Sequence, residues 1–336
     1  MEKIPVEELV KFKMLPFDLY NEDGEKLVDA GEILTSGKLL QISQYDVLYK
    51  AVPKKISETN AQEKSVTESE IQKTKAEIAK PEKPKEIVFD KTVNRKSKFK
   101  AQAQVDMKSY YATTMFAIKE NASKDAVQMV DEIKDKIIDD VQNIIEDVKF
   151  CSQLKLLGSY QDCHSLNTAI LATSMGYKLE YDEDTIENLA QAALLHDIGV
   201  TRLPKEILEK TNFSQQDNKI YQTHTQIGYK ILKQEMGLPE EICLVALEHH
   251  ENNDGSGYPF KLSGEQISSL TRVVGLCSFF DDLTSNRTPH KIKNTKEALR
   301  IMLEVGSKKF FPELLYKFVN MFNYNDLEAY DEMMQQ

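Results

Sequence analysis

Residues 249–259 read His-His-Glu-Asn-Asn-Asp-Gly-Ser-Gly-Tyr-Pro, and the fold and chemistry of the chain are most directly inferred from this stretch. Adjacent histidines are unusual in a sequence of 336 residues that contains only six histidines. Upstream, residues 196–199 read His-Asp-Ile-Gly, which puts an imidazole and a carboxylate on consecutive residues. Imidazoles and carboxylates together are suited to binding more than one divalent metal ion. The two stretches therefore predict a metal site.

The candidate metal ligands come from four segments and lie where helical segments begin or end. They are His164, His196, Asp197, His224, His249 and His250. A single histidine of this kind is more often a structural residue than a ligand. Here, however, five of the six histidines lie in these four segments, and only His290 lies outside them. An aspartate beside a histidine can offer its two oxygens to two cations.

The composition limits the class of protein. A net charge of −11 argues against nonspecific binding to nucleic acid or to anionic lipid. No apolar run reaches the length of a membrane span, and the charged N-terminus lacks the apolar core of a signal peptide. The four cysteines are scattered without a CxxC pair, which is typical of reduced thiols. These features predict a cytoplasmic protein without a membrane span that does not bind nucleic acid.

Three regions are predicted along the chain. Residues 1–52 alternate apolar and polar positions around an Asp23-Gly24 turn signal, and we expect a small α/β module with a regulatory or docking role. Residues 53–97 are rich in Lys and Glu, and we expect a charged, disordered linker. Residues 98–336 show helical periodicity without a βαβ pattern, so we expect an all-α domain. The fold class is therefore predicted to be mainly α.

The combination of His-Asp, His-His-Glu and Asp-Gly-x-Gly-Tyr-Pro resembles the HD-GYP family, metal-dependent phosphodiesterases that open cyclic di-GMP. The resemblance implies an all-helical HD-superfamily domain that hydrolyses cyclic di-GMP, or a related cyclic dinucleotide, by a metal-activated water. It also implies at most two divalent metal ions, with Fe or Mn favoured and Zn or Ni as alternatives. By resemblance, Asp197 is the catalytic, bridging carboxylate. The family pattern assigns the remaining ligands to two ions, with His224, His249 and His250 on one and His164 and His196 on the other.

The same resemblance assigns residues that bind the substrate. The loop that carries Asp254, Gly257 and Tyr258 borders the nucleotide pocket in the family and has been linked to docking of partner proteins. Its glycines allow positive backbone angles and close approach of a ligand. Arg287 matches a position that contacts phosphate, which a guanidinium binds through paired hydrogen bonds. We therefore expect a cyclic dinucleotide as ligand, and a protein partner at this loop or at residues 1–52.

Three positions depart from the family pattern: Ser278, Val200 and Tyr160. Ser278 replaces a metal-binding aspartate, and a neutral hydroxyl is a poor substitute for a carboxylate. Asp281 or Asp282, one turn further on the same helix face, is the candidate to reach that metal through a water. Val200 replaces a lysine that contacts phosphate, and Arg202 is the cation nearest in sequence. Tyr160 stands where some members have a glutamate that serves a third metal.

Two functions of different classes follow from this pattern. The first is a phosphodiesterase, which is favoured by the intact histidines and the Gly-Tyr-Pro loop. The alternative is a catalytically degenerate HD-GYP domain that binds a metal or a nucleotide and serves as a signalling or scaffold module, which is favoured by Ser278 and Val200. A third interpretation, a phosphohydrolase acting on another nucleotide, is disfavoured by the Gly-Tyr-Pro loop.

Overall fold

The computed structural model describes residues 1–51 without 10, 11, 13 and 46, and then residues 101–120, 124–145, 160–285 without 211, and 293–322. The predicted linker, residues 53–97, and the substrate-binding candidate Arg287 lie outside the described residues. The described part is mainly helical with a small sheet near its N-terminus, which confirms the predicted fold class. Within it, no helix is both long enough and apolar enough to cross a membrane.

The N-terminal module, residues 1–51, combines a small sheet with two short helices. Its elements are β1 (Glu2–Ile4), α1 (Val6–Leu9), β2 (Leu19–Tyr20), β3 (Lys26–Val28), α2 (Ser36–Ile42) and β4 (Leu48–Lys50). The four strands pair in antiparallel fashion in the order β1-β4-β2-β3. Gly24 lies at the predicted turn with φ of 80°, a conformation that glycine adopts without steric cost. Thr35 precedes helix α2 and caps it, because its side chain accepts a hydrogen bond from Lys38 N.

The rest of the described chain is helical. Its first helices are α3 (Ala101–Glu120), α4 (Lys124–Ile145), α5 (Tyr160–Lys178) and α6 (Glu183–Leu195). A 3-10 turn at Ile198–Arg202 precedes α7 (Lys205–Leu208), α8 (Gln215–Gln222), α9 (His224–Lys230) and α10 (Glu240–Glu248). The last helices are α11 (Ser269–Thr284), α12 (Thr295–Lys309) and α13 (Pro312–Val319). Asp182 caps α6 by accepting a hydrogen bond from Thr185 N at 2.8 Å, which fixes the start of this helix.

Helix α5 lies at the centre of the helical part and packs against α4, α6 and α11. Its side chains Leu166, Ile170 and Met175 are fully buried. Burying one such side chain is worth about 1.5–3 kcal/mol, so this helix is held firmly in its place. Because His164 is on the same helix, the hydrophobic core also fixes the position of one predicted metal ligand.

The N-terminal module and the loop that follows Pro259 share one hydrophobic core. Leu262 (2% exposed) and Ile267 (4% exposed) are buried among the apolar residues of the module. We call these two residues and the buried apolar residues of the module the shared core. The module contributes Ile4, Leu9, Leu15, Leu19, Val28, Leu34, Leu39, Ile42 and Leu48. In addition, Ser36 Oγ in α2 donates a buried hydrogen bond to Glu248 Oε1 at the end of α10.

Candidate metal centre

Helix ends bring the predicted ligands together. His164 lies in the first turns of α5, His196 and Asp197 follow α6, His224 begins α9, and His249 and His250 follow α10. Gly199 permits this arrangement, because an added Cβ there would lie 1.9 Å from the carbonyl oxygen of His224. Only glycine therefore lets the 3-10 turn approach α9 so closely. The glycine of the His-Asp-Ile-Gly stretch is thus required for packing.

The buried histidines each use Nδ1 for a hydrogen bond within the protein. In His196, His224 and His249, the Nδ1–H donates to a backbone carbonyl oxygen three residues earlier, at distances between 2.6 and 3.1 Å. The Nδ1–H of His164 donates instead to Asp281 Oδ2 at 2.8 Å. In a neutral imidazole, the nitrogen without the proton carries the lone pair. The hydrogen bonds therefore assign the lone pair to Nε2 in all four rings.

These Nε2 atoms converge on the Asp197 carboxylate. Oδ1 lies 3.4 Å from His224 Nε2 and 3.3 Å from His249 Nε2, while Oδ2 lies 3.8 Å from His164 Nε2 and 3.7 Å from His196 Nε2. Within each pair, the two Nε2 atoms are 3.3 or 3.4 Å apart. Oδ1 is buried and has no hydrogen-bond partner among the described residues. Electron-rich atoms facing each other at these distances repel, unless a cation lies between them.

The donor atoms form two groups that share Asp197. One group comprises Asp197, His224, His249 and His250, and the other comprises His164, His196 and Asp197. Within each group the ligand atoms lie within 4.8 Å of one another. Three imidazoles with a carboxylate on one side, and two imidazoles with the same carboxylate on the other, are donor sets that fit a divalent metal. The cluster is therefore able to bind metal ions.

The pKa values of three groups in the cluster favour metal binding at neutral pH, and that of His164 opposes it. Burial, with nearby histidines, lowers the pKa of His196 to about 3 and holds the pKa of His250 well below its ordinary value. For Asp197, burial would raise the pKa, but the surrounding histidines outweigh it and hold this pKa well below its ordinary value. Burial likewise opposes charge on His164, yet the hydrogen bond to Asp281 and the neighbouring carboxylates raise its pKa. Metal binding therefore competes with a proton at His164.

Ser278 lies at the ligand side of His164, because its Oγ is 3.3 Å from Nε2 of that ring. Asp281 and Asp282 lie on the opposite side of the ring, at 2.8 and 3.9 Å from Nδ1. The expectation that one of these carboxylates reaches the metal through a water therefore does not hold. Asp281 is fully buried and orients the imidazole, which is the usual role of a carboxylate behind a ligating histidine. The half of the cluster around His164 and His196 therefore has the hydroxyl of Ser278, and not one of these two carboxylates, on the Nε2 side of His164.

The loop with the Gly-Tyr-Pro motif borders the cluster at His250. The Tyr258 ring stacks on the His250 ring, with centroids 4.6 Å apart and an angle of 24° between their planes. Gly257 packs so closely that an added Cβ would lie 2.5 Å from the backbone of the preceding loop. Asp254 uses Oδ1 to accept a hydrogen bond from Ser256 N at 2.9 Å, so it stabilises its own turn.

The remaining predicted positions are only partly described. Val200 lies in the 3-10 turn after Asp197 and offers no charge. Arg202, the cation nearest to it in sequence, donates to Glu235 Oε2 at 3.1 Å and to the Ile118 carbonyl oxygen at 3.2 Å, so it is committed to other partners. Tyr160 is the first residue of α5, and its side chain lies outside the described residues.

Two buried glutamates beside the paired histidines were not singled out by the sequence analysis. Glu251 accepts hydrogen bonds from Phe260 N (2.7 Å) and Leu262 N (3.0 Å), and so anchors the far end of the loop. Glu248 accepts a hydrogen bond from Ser268 N at 2.9 Å in addition to that from Ser36. Burial raises the pKa of Glu251 to about 7. The signal available in the sequence for these two residues was a glutamate on each side of the paired histidines, next to an apolar run.

A family model described as HD domain matches residues 141–314. The cyclic di-GMP phosphodiesterase PA4108 of Pseudomonas aeruginosa is 33% identical over 198 residues, which are 58% of this chain and 46% of that protein. The 3'3'-cGAMP-specific phosphodiesterase 2 of Vibrio cholerae is 30% identical over 156 residues, 45% of this chain and 30% of that protein. The chain thus spans about half the length of the first of these relatives and less of the second.

One solved structure has the same overall architecture. It is Bd1817, described as a HDG"Y"P protein from Bdellovibrio bacteriovorus, with a TM-score of 0.54 and 16% sequence identity. The alignment covers 94% of this chain and 97% of that chain. At this identity the likeness concerns the fold alone.

Proposed function

This chain belongs to the HD domain family, and from that premise we propose that it is a metal-dependent phosphodiesterase that opens cyclic di-GMP to the linear dinucleotide or to mononucleotides. The observation that carries the proposal is the convergence of four histidine Nε2 atoms on the carboxylate of Asp197, whose Oδ1 is buried and has no hydrogen-bond partner among the described residues. Curated relatives named as cyclic di-GMP phosphodiesterases support the choice of substrate. A relative named as a 3'3'-cGAMP-specific phosphodiesterase supports related cyclic dinucleotides as further substrates.

Each part of the cluster has its own role in this reaction. His224, His249, His250 and Asp197 Oδ1 would hold one ion, and His164, His196 and Asp197 Oδ2 the other. A pair of ions supplies a water nucleophile at neutral pH and stabilises charge on the phosphoryl oxygens. Imidazole and carboxylate donors suit Fe or Mn, with Zn or Ni as alternatives. The chain itself orients the rings through their Nδ1 hydrogen bonds, and Asp281 fixes the ring of His164.

The loop residues border the place of the substrate in this proposal. Tyr258 is held in position by stacking on His250, and Gly257 keeps the loop close to the backbone after the paired histidines. Both features present the loop at the edge of the cluster, where a flat base or a sugar can lie against it. Arg287 remains the candidate for a contact to phosphate. Because the shared core joins this loop to residues 1–51, we also propose a regulatory or docking role for residues 1–52.

The proposal is tested by anaerobic incubation of protein loaded with Fe(II) or Mn(II) with cyclic di-GMP or 3'3'-cGAMP, followed by chromatography of the products. We expect linear dinucleotide or mononucleotide from the loaded protein, and none from protein treated with a chelator. Absence of product from protein with both metal positions filled would contradict the phosphodiesterase function.

A second candidate function is favoured by one specific observation. Ser278 presents a hydroxyl to His164 Nε2, where a carboxylate would complete the second metal position. A domain with one occupied position can bind a metal or a nucleotide and serve as a signalling or scaffold module without hydrolysis. Binding of cyclic dinucleotide without product formation is the result that would distinguish this function.

Ser278→Asp is expected to raise the affinity of the His164 and His196 position for Mn(II) at least about tenfold, because it adds a carboxylate on the Nε2 side of His164. The measurement is the metal content per chain, together with titration calorimetry of metal-free protein. Ser269→Asp is the matched control, because it adds the same charge at an exposed position of the same helix. Equal metal binding by the two variants would show that Ser278 does not occupy a ligand position.

A further inference from the structure

Lys309 lies at the end of α12, where the chain is held against the loop that follows His250. The backbone N–H of Asn253 donates to Lys309 O at 3.1 Å, and that of Asp254 donates to Lys308 O at 2.9 Å. The Asn253 side chain adds a third hydrogen bond, to Ser307 O at 2.8 Å. These bonds fix the end of α12 beside the loop. As a result, Lys309 lines a small cavity together with residues of the segment that carries the paired histidines.

The ammonium group of Lys309 is part-buried and only partly satisfied. It donates one hydrogen bond, to Asn252 Oδ1 at 2.9 Å, and lies 4.7 Å from the centre of the Phe279 ring. No carboxylate of the described residues forms an ion pair with it, and Asp282 and Asp254 act only at longer range. Burial lowers its pKa, an effect that these two carboxylates oppose. An ammonium has three donors, and a charge removed from water normally has an anionic partner.

The proposed substrate carries negatively charged phosphates. Of the positions considered for binding them, the two that the structure describes do not supply an available cation. Val200 supplies no cation, and Arg202 is committed to Glu235 and to the Ile118 carbonyl oxygen. Among the described residues, Lys309 lies beside the paired histidines, and its ammonium group has hydrogen-bond donors that no protein group accepts. An anion seated at this loop would supply the missing partner.

We propose that Lys309 is a substrate-binding residue whose ammonium pairs with a phosphate oxygen of the cyclic dinucleotide. This inference rests on the proposed function and names the residue that compensates for Val200. Asn252 holds the ammonium in position, while Phe279 packs against it and restricts its access to water. The pair is stronger than a surface pair because part of its surroundings is apolar.

The test compares Lys309→Gln with Lys308→Gln, since Lys308 is the adjacent, exposed lysine. Binding of a non-hydrolysable phosphorothioate analogue of cyclic di-GMP to Mn(II)-loaded protein is measured by equilibrium dialysis at several salt concentrations, and the metal content of each variant is determined. We expect Lys309→Gln to weaken binding about tenfold or more and to reduce its salt dependence, with metal content unchanged. We expect Lys308→Gln to bind as the wild type does.

A third variant separates charge from support of the loop. Asn252→Ala removes the hydrogen-bond partner but keeps the ammonium, so we expect a smaller loss of affinity and an unchanged salt dependence. If Asn252→Ala reproduces the full effect of Lys309→Gln, the lysine acts only by bracing the loop, and the proposal is overturned. Equal binding by Lys309→Gln and wild type overturns it while leaving the proposed function intact. If wild-type protein binds no cyclic dinucleotide, both proposals fall together.

Discussion

Asp197→Asn is expected to remove bound metal and to abolish hydrolysis of cyclic di-GMP. The substitution keeps the shape of the side chain but replaces an anionic oxygen by a neutral amide. Both ligand groups include this carboxylate, so both lose a ligand at once. Loss of groups that merely orient metal ligands typically lowers metal affinity 10–100-fold, and loss of a shared ligand should lower it by at least about 100-fold.

This expectation is checked by metal analysis, by calorimetric titration with Mn(II) and by the chromatographic assay. Asp184→Asn is the matched control, because Asp184 is an exposed aspartate in the helix that leads to Asp197. Circular dichroism of both variants establishes that the helical fold is retained. A folded Asp197→Asn protein with wild-type metal content would refute the ligand assignment and, with it, the observation that carries the proposed function.

Leu262→Ala is expected to lower the free energy of unfolding by about 2–5 kcal/mol, because it leaves a cavity in the shared core. Leu262 lies in the loop after the Gly-Tyr-Pro motif, yet it is only 2% exposed and is surrounded by residues of the N-terminal module. Leu19→Ala, at a fully buried position of β2, should lower the free energy of unfolding by a similar amount and in the same unfolding transition. Leu303→Ala serves as the control because Leu303 is 49% exposed.

The measurement combines urea denaturation, followed by circular dichroism, with hydrogen exchange of peptides from the module, from the loop at residues 260–267 and from α5. If the shared core makes the two parts cooperative, peptides from β2 and from the loop at residues 260–267 should lose protection together. Separate transitions, with Leu19→Ala affecting only the module, would contradict a shared core and would favour an independent domain on a tether.

The metal cluster could be predicted from the sequence because its signal is chemical and local. His196 and Asp197 are adjacent, His249 and His250 are adjacent, and the residue types themselves identify ligands. Ser278 could be compared with the family position because the helix keeps residues in register. Nothing comparable marks Asp281 as the partner of His164 Nδ1, since that assignment depends on the direction from which the ring is approached. Spacing alone cannot tell the two nitrogens of an imidazole apart.

The small α/β module was also predictable, because turn signals and alternation act over a few residues. Its contact with the loop after Pro259 was not, because Leu262 and Ile267 are far from the module in sequence and follow a glycine-rich stretch typical of a surface loop. The same holds for Lys309, which has no motif of its own and depends on the packing of α12 against the loop. The disordered state of residues 53–97 stays a prediction, since those residues lie outside the described structure.

The shared core has a consequence for the order of events during synthesis. Residues 1–51 leave the ribosome long before Leu262 and Ile267 are translated, so the sheet is at first without two of its buried apolar neighbours. Domains generally fold as units while the chain is made, N-terminal parts first, and exposed apolar surface invites association with other chains. Residues 1–51 therefore complete their packing only after the helices that carry the candidate metal ligands have been translated, and conditions that slow translation should lengthen their exposure to chaperones and proteases.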